Sequence, residues 1–270
     1  MTSMMTPVEL EARHTATIFK DTAAMMRQCP ALFATTAHPR MSDRYAFTNT
    51  YDILVHMHNR GFRIESIMGG HKRYNKVMIR LRHKDHYELR GEAPELVLLD
   101  SHDGSSRLKM CMGVIKFLCM NGMIAGDLTY AKSFLHLTDD LIAQVLLEIE
   151  DIDTHARELM KRVDRMKNFS TNVGHRIAMA DVAVHARFTG ERSGTFVADM
   201  RSKLLTPRRI EDEENDMYTV MNVIQENALR GGISYISGNA VRRMSDIQAV
   251  DRNVLINTSL WNKAEELMAA

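Results

Sequence analysis

The segment Asp100-Ser101-His102-Asp103-Gly104-Ser105-Ser106 collects carboxylates, an imidazole and hydroxyls within seven residues. These are the groups that transfer protons or hold a metal ion. Pairing His102 with Asp103 or Asp100 would give a base or a ligand pair, and His56 or His58 could supply a third group. The same string is also a hairpin-turn composition, with Gly104 free to take positive φ. Neighbours on a tight turn point apart, whereas a triad needs three converging groups. The turn reading is therefore preferred, and no catalytic residue, metal or cofactor is expected. A cryptic metal-dependent hydrolase built on His102 and Asp103 stays as an alternative.

A second constellation is electrostatic. Residues 60–90 hold nine Lys/Arg against Glu65, Asp85 and Glu88, a net of +6 in a chain whose total is +1. Lys72, Arg73, Tyr74, Lys76, Arg80, Arg82 and Lys84 form a cationic row, with Tyr74 and Tyr87 available to stack on bases. That is what a groove tracking the phosphates of a single strand requires. The competing reading is a solvated sheet face whose charges pair with acidic helices at 139–164 and 211–216. Two further segments are polar in an apolar setting. Asn121-Gly122 reads as a tight hairpin or a bulge. Asn222, Gln225 and Glu226 share one helix face, followed by Asn227, Arg230, Gly231 and Gly232. That stripe could meet a ligand or satisfy strand-end amides inside the fold.

The elements that must position these groups follow from periodicity. An opening helix is expected over residues 8–28 and a short one over about 48–60, ending at Gly61. Between 61 and 126, short apolar or alternating runs separated by Gly, Asp, Ser and Pro indicate strands of a mainly antiparallel sheet. Val77, Ile79 and Leu81 alternate with Lys76, Met78, Arg80 and Arg82, which predicts one apolar and one largely cationic face. After Thr138-Asp139-Asp140, apolar residues from Ile142 to Met166 recur every three or four positions, predicting an amphipathic helix of roughly 30 residues. Helices are also expected at 173–188, from the acidic run Glu211–Asp216 through Leu229, and at 257–270. The fold class is α+β, a mainly antiparallel sheet with a basic strand face, packed by the long helix and a helical C-terminal portion. The division expected is 1–132 for helix plus β-meander and 133–270 for the helical portion.

Composition bounds the rest. With 270 residues and 45% hydrophobic content, a sizeable core is available, and no run approaches the roughly 20 apolar residues of a membrane span. The N-terminus has no cationic region followed by an apolar stretch, and three unpaired cysteines (Cys29, Cys111 and Cys119) suggest no disulfide framework, so a cytoplasmic setting is expected. Methionine is in excess at 21 residues, which fits either an irregular core or an adaptable partner-binding surface.

Ser101-His102-Asp103-Gly104, Cys119-x-Asn121-Gly122, Asn222-x-x-Gln225-Glu226-Asn227, Arg230-Gly231-Gly232 and Asn257-x-x-Leu260-Trp261, in that order over residues 96–268, resemble the phage/plasmid-like protein family. That family is a domain of unknown function carried by phages, prophages and plasmids. The resemblance implies a mobile-element setting in a bacterial host and no mechanism. A helix, a cationic β-meander and a long helix are also similar in architecture to phage single-strand annealing proteins. Together these lead to an expectation of a non-catalytic protein that binds single-stranded nucleic acid as a homo-oligomer, in annealing, recombination or replication. The alternative is a counter-defence factor that inhibits a host protein by direct binding. No membrane partner is expected.

Overall fold

A computed structural model describes residues 18–86, 91–117, 121–126, 131–134, 136, 140–188, 194–237 and 240–270. The expectations placed on residues 8–17, Tyr87, Arg90, Cys119, Thr138-Asp139 and the break at Thr189 lie outside the described residues. In chain order the elements are α1 (Thr22–Gln28), α2 (Thr50–Asn59), β1 (Phe62–Gly69), β2 (Val77–His83), β3 (Glu92–Asp100), β4 (Leu108–Lys116), β5 (Asn121–Ile124) and β6 (Ala131–Phe134). There follow α3 (Leu141–Glu148), α4 (Ile152–Lys167), α5 (Val173–Arg187), α6 (Gly194–Leu204), α7 (Met217–Arg230), β7 (Ser234–Ser237), β8 (Ala240–Arg243) and α8 (Val250–Ala269). The fold class is α+β. The six-stranded antiparallel sheet has the order β1-β2-β3-β4-β5, with β6 pairing the start of β4 where β5 pairs its end.

The chain divides into two compact units that interleave in sequence. The first comprises residues 1–89, 94–112 and 131–156. Its core is built from Leu32, Phe33, Ile53, Leu54, Met57, Ile79, Leu81, Leu96 and Leu98, all buried. Asn49 starts α2 by accepting hydrogen bonds from the Tyr51 and Asp52 amides, so two of the orphan donors at the helix start are satisfied. The second unit comprises 90–93, 113–130 and 157–270, with α5, α6, α7 and α8 packed on one another around Trp261, Tyr218, Met221 and Ile224.

Three expected helices change shape. The long helix is α3 and α4 with a tighter turn at Ile149–Asp151 between them. The acidic run does not open α7. Asp216 stands in extended conformation, bridged to Ser170, and caps the helix by accepting from the Thr219 amide at 2.9 Å. The C-terminal helix begins at Val250, seven residues early, because Val250, Asn253, Ile256 and Asn257 already lie on its buried face. The hairpin β7–β8 and helix α6 are additional elements. Eleven methionines are buried, from Met57 to Met244, and none of those described is an exposed large apolar residue. The excess therefore fills the interiors of both units, as a flexible, unbranched side chain does well.

The cationic strand also differs from expectation. Every residue of β2 from Val77 to Arg82 is buried, and so are all nine of β3. Arg80 lies 3.3 Å from Glu95 and Arg82 lies 3.0 Å from the same carboxylate and 3.2 Å from Glu65. Glu65 sits at the register shift between Ile64 and Ser66 in the β1–β2 pairing. At 7% and 6% exposure, Arg80 and Arg82 hold interior carboxylates and are not presented to a polyanion. Since an interior charge is stable only while paired, Glu95→Ala should lower the unfolding free energy by about 3–5 kcal/mol in urea denaturation. Lys84→Ala, at the exposed end of the same row, should change it by less than about 0.5 kcal/mol.

Candidate anion-binding cleft

Strand β3 ends on Asp100, whose side chain is fully buried in the first unit. An ionised carboxylate only accepts hydrogen bonds, and three donors reach this one. The Thr50 hydroxyl, at the start of α2, donates to Oδ2 at 2.7 Å. The Ser101 amide donates to Oδ1 at 2.8 Å, and His136 Nε2 lies 3.2 Å from the same oxygen. His136 therefore carries its proton on Nε2. Thr50, having given its own hydrogen to Asp100, accepts from His102 Nε2 at 2.9 Å, which fixes the same tautomer on that ring. The Nδ1 of each imidazole is left as a buried lone pair with no hydrogen-bond partner among the described residues.

Burial alone would raise the Asp100 carboxyl, but His102, His136 and Thr50 outweigh it and hold the group below the usual carboxylate range. For His102, burial dominates and pushes the imidazole down against the pull of Asp100. Tyr45 stacks on His136 with ring centroids 4.8 Å apart, and its phenol is pushed up by burial and by Asp100 and Asp103.

His136 and Tyr45 also line an open cleft of about 610 Å³. Its other walls are Lys76, Arg107, Lys109, Met41, Gly104 and the hydroxyls of Ser105, Ser106 and Ser133. Arg107 and Lys109 are exposed and have no carboxylate partner among the described residues. Three cations and three hydroxyls around one depression suit a phosphate-like anion. Among the described residues no three His, Cys, Asp or Glu side chains converge to hold a metal ion.

The Ser101–Gly104 segment is a turn that also feeds this network. Asp103 accepts from the Ser105 amide at 2.9 Å and pairs loosely with Arg40 at 3.8 Å. Ser101 Oγ accepts from the Ser106 amide at 3.0 Å, and Gly104 takes φ +74°. His102 is thus joined to Asp100 through Thr50, not to Asp103, His56 or His58. Of the expected cationic row, Lys76 alone lines the cleft. Lys72 and Lys84 are exposed, and Arg73 bonds Thr35 at 3.1 Å with its guanidinium 5.5 Å from the Tyr74 ring. Thr50, Tyr45, His136, Arg107 and Lys109 were not singled out from sequence. Only the alternation of Arg107 and Lys109 with Leu108 and Met110 carried a readable signal.

In the second unit the remaining motif residues serve the interior. Asn257 Oδ1 accepts from the Ile124 amide at 3.2 Å and from Gln225 Nε2 at 2.9 Å, and Gln225 also donates to the Gly122 carbonyl at 3.1 Å. Gly122 pairs with Ile115 where Asn121 pairs with Lys116, the end of the β4–β5 ladder. Asn222 donates to the Tyr218 carbonyl at 2.8 Å. Glu226 receives Arg209 at 2.6 Å and Arg230 at 3.0 Å. Asn227 donates to the Leu204 and Thr206 carbonyls, both at 2.9 Å. Gly231 ends α7 at φ +62°, where a Cβ would collide with the Met244 and Ser245 carbonyls. Gly232 follows at φ +78°.

The two shifts in the first unit act in one direction with pH. With His102 depressed in the fold, the unfolded chain binds protons first below about pH 6.5, so stability present above that pH is lost as it falls. The contribution of Asp100 is kept to about pH 4 and lost below it. Urea midpoints should fall between pH 7 and pH 5, and His102→Asn should flatten that part of the profile.

Among the described residues no helix is long and apolar enough to cross a membrane. No solved structure matches the chain. Two relatives from Escherichia coli (strain K12) are similar along nearly its whole length. UPF0380 protein YafZ is 28% identical over 254 residues, covering 90% of each chain. UPF0380 protein YfjQ is 27% identical over 252 residues, again covering 90% of each. The family model described as a domain of unknown function, DUF932, matches residues 37–261, a span that includes Asp100, His102 and His136 together with the Asn222–Asn227 segment, and the chain belongs to that family.

Proposed function

We propose that the protein binds single-stranded nucleic acid without catalysis, through its first unit, as an oligomeric accessory of annealing, recombination or replication. The observation that carries this reading is the meeting of Lys76, Arg107 and Lys109 on one hydroxyl-lined cleft beside the stacked Tyr45–His136 pair. Lys72, Arg73, Tyr74 and Lys84 supply further charge and a second ring for bases. Arg80 and Arg82 drop out of the contact set because Glu95 occupies them. The resemblance to phage- and plasmid-borne proteins supports a mobile-element setting.

A second reading, inhibition of a host protein, is favoured by one feature of the second unit. A groove of about 400 Å³ there is lined by the exposed Val173 and Ile177 with Glu213 and Glu214, which suits a basic amphipathic partner segment.

Fluorescence anisotropy with labelled oligothymidylate tests the first reading. Binding should weaken with salt by about 0.7 log units per log unit of salt for each phosphate neutralised. The double variant Arg107→Glu/Lys109→Glu should bind at least tenfold more weakly and lower that slope by about 1.4. Unchanged affinity in the double variant, or no binding by the natural chain, overturns the reading.

A further inference from the structure

Among the described residues most of the exposed large apolar side chains belong to the second unit, and four of them form two neighbouring pairs. Val173 and Ile177 lie one turn apart at the start of α5 and line the groove that Glu213 and Glu214 border. Ile236 and Val241 stand directly opposite each other across the β7–β8 ladder, at 59% and 76% exposure. Single exposed apolar residues are ordinary on a surface, whereas contiguous ones mark a contact.

The hairpin is a fixed peg. Successive strand residues face opposite ways, so Ile236, Val241, Ser234 and Arg243 share one face and Tyr235 lies on the other. Tyr235 packs edge-on against Phe188 and Phe196, with ring centroids 5.8 and 5.6 Å away, which turns its face toward the helices. The Gly232 amide donates to the Met244 carbonyl at 2.7 Å and closes the base. The face with Ile236, Val241 and Arg243 therefore looks away from its own unit. Arg242 and Arg243 are both exposed, and neither forms an ion pair among the described residues.

The groove has the opposite sign. Glu213 and Glu214 are exposed and form no ion pair among the described residues; Lys167, which feels Glu214, is held by Glu92. Asp212 is already taken by Lys116 and Arg209, and Arg176 bonds Asn215 at 3.1 Å. Peg and groove thus match in apolar content and in charge, yet α5 holds them apart within one chain. The groove lies at the start of that helix, while the hairpin is fixed to Phe188 just past its end, eleven residues and about 16 Å beyond Ile177.

We propose that copies of this chain associate head to tail, the β7–β8 hairpin of one copy seated in the α5 groove of the next. Ile236 and Val241 would cover Val173 and Ile177, with Arg243 and the flanking Arg242 meeting Glu213 and Glu214. Each copy uses two different surfaces, so the contact propagates to a ring or a filament and does not stop at a two-fold dimer. The inference rests on the oligomeric part of the nucleic-acid reading, and it gives the groove to a second copy in place of a host segment.

Sedimentation velocity of the whole chain, without nucleic acid, tests it. The natural chain should run as species larger than a monomer that loosen with salt. Ile236→Ser/Val241→Ser, which removes the peg, and Glu213→Lys/Glu214→Lys, which reverses the groove, should each run as monomers with unchanged urea midpoints. An equal mixture of the two should form a pair of twice the monomer mass and nothing larger, since one intact peg and one intact groove remain. Arg242→Glu/Arg243→Glu placed in the same chain as Glu213→Lys/Glu214→Lys should restore assembly. A monomeric natural chain overturns the proposal, as does a groove variant that assembles like the natural chain or a mixture that stays monomeric. Oligothymidylate bound by a monomeric natural chain overturns the assembly and leaves nucleic-acid binding standing. Head-to-tail assembly by a chain that binds no oligothymidylate supports the assembly and overturns the nucleic-acid reading.

Discussion

The part of strand β3 that belongs to the first unit carries two carboxylates, Glu95 and Asp100, that are 1% and 0% exposed, and that unit is arranged around keeping them paired. An unpaired interior carboxylate costs several kcal/mol, comparable to much of a domain's whole stability. Glu95 draws both arginines of β2 inward, and the bulge at Glu65 brings a second carboxylate to Arg82. Asp100 draws the first hydroxyl of α2, the next backbone amide and the imidazole of His136. The inward placing of both β2 arginines and the tautomers of two histidines follow from where these two negative charges lie.

The same demand sorts the cations of the chain. A total of +1 says little, because charge is divided between interior pairs and the surface. Arg80 and Arg82 neutralise the interior and leave nothing for a ligand. Lys116 is likewise occupied, 2.7 Å from the buried Asp212 in the second unit. Near the Asp100 network, Arg107 and Lys109 are exposed, and they line one cleft together with Lys76. The +6 segment thus signals buried pairing as much as a binding face, and the exposed end of β4 was the less conspicuous contributor.

Periodicity made α2, β2, β4, α5 and the sheet itself legible from sequence, because burial on one face imposes a period that composition preserves. It could not separate a solvated cationic face from one packed against carboxylates. Arg80 and Arg82 at alternate positions look the same in either case, and the distinguishing clue was Glu95 standing inside the apolar run that ends at Asp100. Nor could it choose partners for the Asp100–His102 pair. Thr50 is 50 residues from Asp100 and His136 is 36, so only the folded chain joins them. The division of the long helix at Ile149–Asp151 was hidden for a different reason. A single turn of tighter helix keeps the three- and four-residue spacing of apolar positions nearly intact.

The two polar networks differ in what they leave over. In the second unit, Asn227 terminates α6, Gln225 and Asn257 hold the end of the β4–β5 ladder, and Glu226 fixes Arg209. Its unpaired buried acceptors, Asn222 Oδ1 and Gln225 Oε1, belong to amides, which take up no proton near neutral pH. That network holds the shape of the second unit. In the Asp100 network of the first unit the unpaired atoms are the Nδ1 nitrogens of two imidazoles, a group type that can take up a proton. Burial pushes one of those rings down, and the other lines a cationic cleft. The Asp100 network is therefore the one of these two that holds a group type able to take up a proton.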